Sequence, residues 1–219
     1  LLDYGTYEDW QLDLINIVRD ESHYFIPQIK TKILNEGWAS FWHYKIMSEL
    51  DLPQAFHLSF LKFHNQVLRP MVGRINPYHL GFTIFKWIEK NKGLEECFIA
   101  RSSHNDESFI RTYLNQEICE DLNLFSYSKK KKEWTIDDIA DEDGWKQIRE
   151  DLIKNVGLNS LPNIYVKELN KDFTLVLEHE HDGRDLDLDY AHNVCEHIID
   201  LWGDEFKLFT IIEDEPFEI

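Results

Sequence analysis

Between Lys32 and Met47 the chain sets Glu36 and His43, two groups able to do chemistry, among Trp38, Phe41, Trp42 and Tyr44. Apolar residues recur nearly all round at helical spacing, which predicts a buried helix. A carboxylate in such a helix must be paired, protonated or bound to a metal. Seven steps of 100° return to within about 20° of the start, so Glu36 and His43 project from one face, with Cα atoms about 10.5 Å apart along the axis. Two helix residues sharing one ion normally sit four apart. Glu36 therefore reads as the candidate metal ligand, and His43 as a group that orients a ligand or faces substrate. The alternative is Glu36 salt-bridged to Lys32 or Arg69, with His43 a satisfied core histidine. Gly37 costs this helix roughly 1 kcal/mol relative to alanine. That suggests a close approach to its backbone, which ordinary helix packing also explains.

His57 and His64 are again seven apart, and His64-Asn65-Gln66 groups three polar side chains before Arg69. They read either as a pocket wall facing Glu36 or as a solvated or hydrogen-bonded helix face. Tyr78 and His79 fall in the first turn of a helix, where free N–H groups can take an anion, although packing also places them there. His179-x-His181 has a metal-compatible spacing on one face of a strand, but it runs into the Asp182-Gly183 turn signal and reads as an exposed strand end. Arg184 could pair with the acidic surface or hold a partner. There is no G-x-x-x-x-G-K-[ST], G-x-G-x-x-G after a strand, G-x-S-x-G or C-x-x-C. ATP, dinucleotide, α/β-hydrolase and thiol-redox chemistry are poor matches to such a sequence.

The elements that must position these residues are mainly helices. Thr6 and Asp9 resemble a capping box for a first helix carrying Trp10, Leu14, Ile17 and Val18, with Pro27 ending it. A second helix spans Lys30–Leu50, and a third, capped by Asp51, runs to about Leu68. Arg69–Gly73 reads as a turn. Asn76-Pro77 starts a fourth helix that ends at Gly93. A fifth covers Asp106–Glu120. The run Lys129–Lys132 reads as a solvated linker. Beyond it, a short helix is predicted over Trp145–Val156. Strands follow over Asn163–Glu168 and Phe173–Glu180, turned at Asn170-Lys171, then a helix over Tyr190–Trp202 and a strand over Phe206–Ile212. The fold class is α+β: a mostly helical part, residues 1–125, followed by a small acidic β-β-α-β unit, residues 133–219.

The 219 residues carry a net charge of -18. From 133 to 219 there are 24 acidic and 7 basic residues, so nearly all of that charge lies in the second part. Such a surface repels a phosphate backbone, and nucleic-acid binding is not expected. No run approaches 18 apolar residues, so no membrane span is expected. Cys97, Cys119 and Cys195 are few, odd in number and far apart, which fits a reducing compartment. The opening Leu1-Leu2-Asp3-Tyr4 reads like the middle of something longer.

The stretch Pro27-Gln28-Ile29-Lys30-Thr31-Lys32-Ile33-Leu34-Asn35-Glu36-Gly37-Trp38-Ala39-Ser40-Phe41-Trp42-His43 resembles the most characteristic segment of the stage V sporulation protein R family. The resemblance continues through His64-Asn65-Gln66-Val67, Ile75-Asn76-Pro77-Tyr78-His79-Leu80-Gly81, Phe109-Ile110-Arg111-Thr112-Tyr113-Leu114 and Asp121-Leu122-Asn123-Leu124-Phe125. It ends with Gly183-Arg184, Leu186 and Leu201-Trp202-Gly203. It implies a bacterial, cytoplasmic protein needed for spore cortex formation in spore formers, and elsewhere associated with a serine protein kinase as a partner system. The family's N-terminal part carries a His-x-x-x-His helix that this chain lacks. Two histidines on one turn plus a later glutamate is the ligand plan of gluzincin-type zinc peptidases. The resemblance thus implies that Glu36 is one metal ligand, with zinc as the candidate cofactor. His43 and His64 would be the catalytic candidates, and Asn35, Asn65, Tyr78 and His79 the binding candidates. Two functions follow: a metal-dependent hydrolase completed by residues outside this chain, or a non-enzymatic scaffold acting through the acidic unit on a protein partner.

Overall fold

The computed structural model describes all residues except 1, 3, 4, 72–74, 131 and 132; for 126–130 and 133–138 only the backbone is described. The chain divides into two compact units. One comprises Ile26–Ser160; the other comprises the chain up to Phe25 together with Leu161–Ile219. Helix α1 (Asp9–Lys30) contributes to both.

The larger unit is built around two helices running side by side, α2 (Lys32–Glu49) and α4 (Pro77–Lys92). Their contacts climb together along the chain: Gly37 with Gly81, Phe41 with Phe85, Lys45 with Glu89. The two helices are therefore parallel. A Cβ on Gly81 would sit 2.3 Å from the Ile33 carbonyl oxygen and 2.6 Å from the Gly37 Cα. Only glycines allow that approach, so helix packing accounts for Gly37. Around this pair lie α3 (Gln54–Val67), α5 (Leu94–Ser103), α6 (Asp106–Tyr113), α7 (Gln116–Asp121) and α8 (Gly144–Lys154). Ile33, Leu34, Phe41, Leu80, Ile84, Phe85, Ile88, Phe109, Ile110, Ile148 and Leu152 form one continuous core. Burial on this scale is what holds a helical unit together, at roughly 25 cal/mol per Å² of apolar surface.

Local signals set most helix ends. The Asn76 side chain accepts from the Tyr78 N–H at 3.0 Å with Pro77 in the first position, and Gly93 closes α4 at φ 96°. Asn105 and Ser108 form a reciprocal capping box. Several expectations are corrected. Pro27 lies inside α1; the break comes at Thr31, whose hydroxyl donates to the Pro27 carbonyl at 2.7 Å. At the start of α1 it is the Glu8 N–H that is bonded, by the Gln11 side chain at 2.8 Å, and not a Thr6–Asp9 box. Helix α3 starts after Pro53, not at Asp51. Asp106–Glu120 is two helices, because Asn115 caps a new one by accepting from the Ile118 N–H. Helix α5 falls where no element was expected. The supposed linker begins an antiparallel hairpin, β1 (Phe125–Lys130) with β2 (Glu133–Ile139), which takes in Lys129 and Lys130; Lys131 and Lys132 lie outside the described residues, as do Val72 and Gly73 of the expected turn. Helix α8 packs in the larger unit against α6 and α7.

The smaller unit holds a sheet in the order β3 (Ile164–Leu169), β4 (Leu175–His179), β5 (Phe206–Ile212), β6 (Glu215–Glu218). The β4–β5 pair is parallel and the others antiparallel. Helix α9 (Leu188–Trp202) makes the crossover between β4 and β5. This is the expected β-β-α-β unit with one further edge strand. Leu188, Ala191, Cys195, Ile198 and Trp202 are the less exposed stripe of α9, with Cys195 and Trp202 fully buried. In the sheet, Leu175, Val176, His179, Leu208 and Thr210 are buried. Lys167–Glu178 and Lys207–Glu218 ion pairs, both at 3.0 Å, lace exposed sheet positions.

Candidate functional site

Glu36 sits in the second turn of α2, half-buried beside the glycine contact. The Tyr78 hydroxyl, in the first turn of α4, stands close enough to its carboxylate for the two to interact. The pull of that carboxylate on the hydroxyl proton, then burial, then the carboxylate's charge, raise the Tyr78 pKa above the ordinary tyrosine value. Among the described residues no ion pair joins Glu36 to Lys32 or Arg69. The alternative of a salt-bridged glutamate therefore finds no partner there. A half-buried carboxylate facing one neutral donor keeps lone pairs for a further ligand.

Farther along the same face of α2, the exposed ring of His43 stands edge-on to Phe60 at 5.3 Å, with its centroid 6.4 Å from that of His64. His64 is only 5% exposed. Tyr44 and Phe82, each 5.0 Å away, and Phe60 at 5.7 Å enclose it. Burial lowers its pKa, with His43 and Lys86 adding to the effect, so it is a neutral imidazole at pH 7. Its Nε2 is buried with no hydrogen-bond partner. Such a group carries a desolvation penalty of about 1–3 kcal/mol.

The other candidates separate. The Asn35 amide donates to the Thr31 hydroxyl at 2.9 Å, toward the start of α2. Asn65 is exposed. His79 is half-buried, and burial lowers its pKa. The Tyr78 N–H, proposed as an anion donor, is taken by Asn76. Asn76 also donates to the Val67 and Arg69 carbonyls at 2.7 and 2.8 Å, which ties the end of α3 to the start of α4. His57 lies half-buried against Phe60. The structure thus brings Glu36 to Tyr78 and His43 to His64. Among the described residues, no three His, Cys, Asp or Glu side chains are placed to hold a metal ion.

The His179-x-His181 reading changes. His179 is buried rather than at an exposed strand end, because its Nδ1 pairs with the Thr210 hydroxyl at 2.9 Å. His181 Nε2 meets Asp185 at 3.1 Å. Arg184 pairs with Asp182.

One residue the sequence reading passed over is Asp106, 1% exposed. Its two carboxylate oxygens accept from the N–H groups of Ile33 at 2.9 Å and Leu34 at 2.8 Å, 73 and 72 residues away. Burial pushes its pKa up to about 6, against the pull of backbone N–H donors from Ile33, Leu34 and Lys32. No local pattern announces a cap donated across that distance.

Helices carrying a half-buried glutamate, followed by a small α+β unit, define the class of protein; comparison with known proteins gives the family. A family model described as SpoVR like protein matches residues 1–161, and one described as SpoVR-like C-terminal domain matches residues 162–213. The chain belongs to the SpoVR family. It is 32% identical over 246 residues to a protein of Escherichia coli (strain K12) described as "Uncharacterized protein YcgB", an alignment covering 97% of this chain and 48% of that protein. The chain therefore spans about half the length of the curated relative it matches. No solved structure matches. No helix among the described residues is long and apolar enough to cross a membrane.

Proposed function

We propose that Glu36 is the ligand this chain supplies to a metal-dependent hydrolase of peptide or amide bonds, acting in spore formers on spore cortex precursors. The carrying observation is a half-buried carboxylate that faces the Tyr78 hydroxyl and makes no ion pair among the described residues. The donor set fits a zinc ion in part: one carboxylate oxygen is a suitable ligand, and the remaining ligands would come from the portion of full-length relatives that this chain does not span. Zinc, when bound, polarises a carbonyl and acidifies water. Tyr78 would fix the orientation of the Glu36 carboxylate, as groups behind a metal ligand commonly do. His64, neutral and with an open Nε2, would accept a proton or orient substrate together with His43. The chain by itself is then inactive. A cytoplasmic setting and a serine kinase partner system belong to the same proposal.

A second reading is a binding module, in which Glu36–Tyr78 is a structural pair and the acidic unit docks a protein. The outward face of α9 supports it: Tyr190, 71% exposed, Val194, Ile199 and Leu201 lie among Asp189, Glu196 and Asp200. Metal analysis of the full-length protein, with and without Glu36→Ala, separates the two. Stoichiometric metal lost on substitution is expected. A metal-free protein that still restores cortex formation overturns the hydrolase.

A further inference from the structure

We propose that Asp106 is the positioning residue of the Glu36–Tyr78 site, acting through the first turn of α2. The inference rests on the reading that Glu36 is the functional carboxylate. Helix α2 has no local cap, since the Thr31 side chain makes no capping bond. The Thr31 hydroxyl instead donates to the Pro27 carbonyl and accepts from Asn35. The N–H groups of Ile33 and Leu34 instead donate to Asp106, which enters from the start of α6. Asp106 is itself fixed, because the Asn105–Ser108 capping box sets the backbone on either side of it.

The same turn makes a close approach of backbone to backbone. The Ile33 carbonyl lies against Gly81, and Gly37 against the Gly81 backbone, with no Cβ to cushion a shift. Glu36 lies between those contacts, and Tyr78 lies one turn before Gly81. A slip or unwinding at Ile33–Leu34 therefore moves Glu36 relative to Tyr78. A carboxylate can hold both N–H groups because each oxygen accepts. An amide of the same shape accepts at one position only and presents N–H to the other. The charged groups nearest in sequence, Lys30, Lys32, His104 and Glu107, form no ion pair with Asp106 among the described residues, so none takes over its role.

The test is Asp106→Asn in two settings. By NMR of this chain, the cross-relaxation between the Glu36 side chain and the Tyr78 ring is expected to fall at least threefold at temperatures where the variant is still folded. In the full-length protein, metal binding is expected to weaken 10-fold or more, the range seen when groups behind a ligand are removed. If Asp106→Asn does not fold, Asp106→Glu takes its place. It keeps the charge, its extra methylene displaces the turn, and the same losses are expected. A folded variant that only melts earlier, with the Glu36–Tyr78 signal and metal affinity unchanged, overturns the proposal. If Glu36→Gln itself leaves metal binding intact, the hydrolase reading fails, and the NMR signal alone decides the role of Asp106.

Discussion

The two units secure buried polar groups in opposite ways. In the helical unit, Asp106 bonds backbone donors more than 70 residues away, beneath a core that runs from Ile33 to Val156. In the sheet unit the buried polar pair His179–Thr210 joins two neighbouring strands, with few apolar residues buried about it. One unit fixes the helix that carries Glu36 by long-range contact and glycine packing; the other is a short crossover with a charged outer surface. The difference teaches where precision is kept: Glu36 stands where backbones touch, while the sheet presents exposed side chains on its outer surface.

The largest break in this contrast should come from Gly81→Val. The new side chain has no space between the Ile33 carbonyl and the Gly37 Cα. Overpacking typically costs about 1–3 kcal/mol, and a clash of backbone with backbone more. The variant should lose the helical unit's cooperative unfolding, followed by near-ultraviolet circular dichroism of its tryptophans. Thr210→Val is next. It leaves the buried His179 Nδ1 without its partner and should cost about 1–3 kcal/mol in chemical denaturation. It should leave the helical unit's core amides protected from exchange.

The third test is pH. The Asp106 carboxyl lies at about 6, above the ordinary aspartate value of 3.8. Between roughly pH 4 and 6 the folded state then binds more protons than the unfolded one, and the contribution of Asp106 to stability falls as pH rises. Above pH 6 it is flat. The slope is at most about 1.4 kcal/mol per pH unit. Subtracting the profile of Asp106→Asn from that of the wild type should expose it, and a difference that rises with pH would contradict the assignment. The smallest effect belongs to Tyr165→Phe. Tyr165 donates to Glu178 on the exposed sheet surface at 2.7 Å, and its loss should stay within about 0.5 kcal/mol.

Local physics was readable along the chain. Asn76-Pro77, Gly93, the β3–β4 turn at Asn170 and the crossover α9–β5 all follow from residue types at fixed offsets. Pro27 misled because a proline commonly ends a helix, whereas the chain carried α1 three residues further, to Lys30. The lysine run misled because charge predicts solvent, and a hairpin is as solvated as a linker. Glu36 and Tyr78 could each be named from sequence, but not their proximity, since they stand on different helices. Asp106 was legible only as a helix start.

The Glu36 carboxylate is the group on which the proposed chemistry turns. A crystal structure of the full-length protein grown with zinc, with anomalous scattering at the zinc edge, tests it directly. The expected result is a zinc peak about 2.0–2.2 Å from one Glu36 oxygen, with the Tyr78 hydroxyl on the other. A zinc-loaded protein whose Glu36 carboxylate touches Tyr78 and no metal would contradict it.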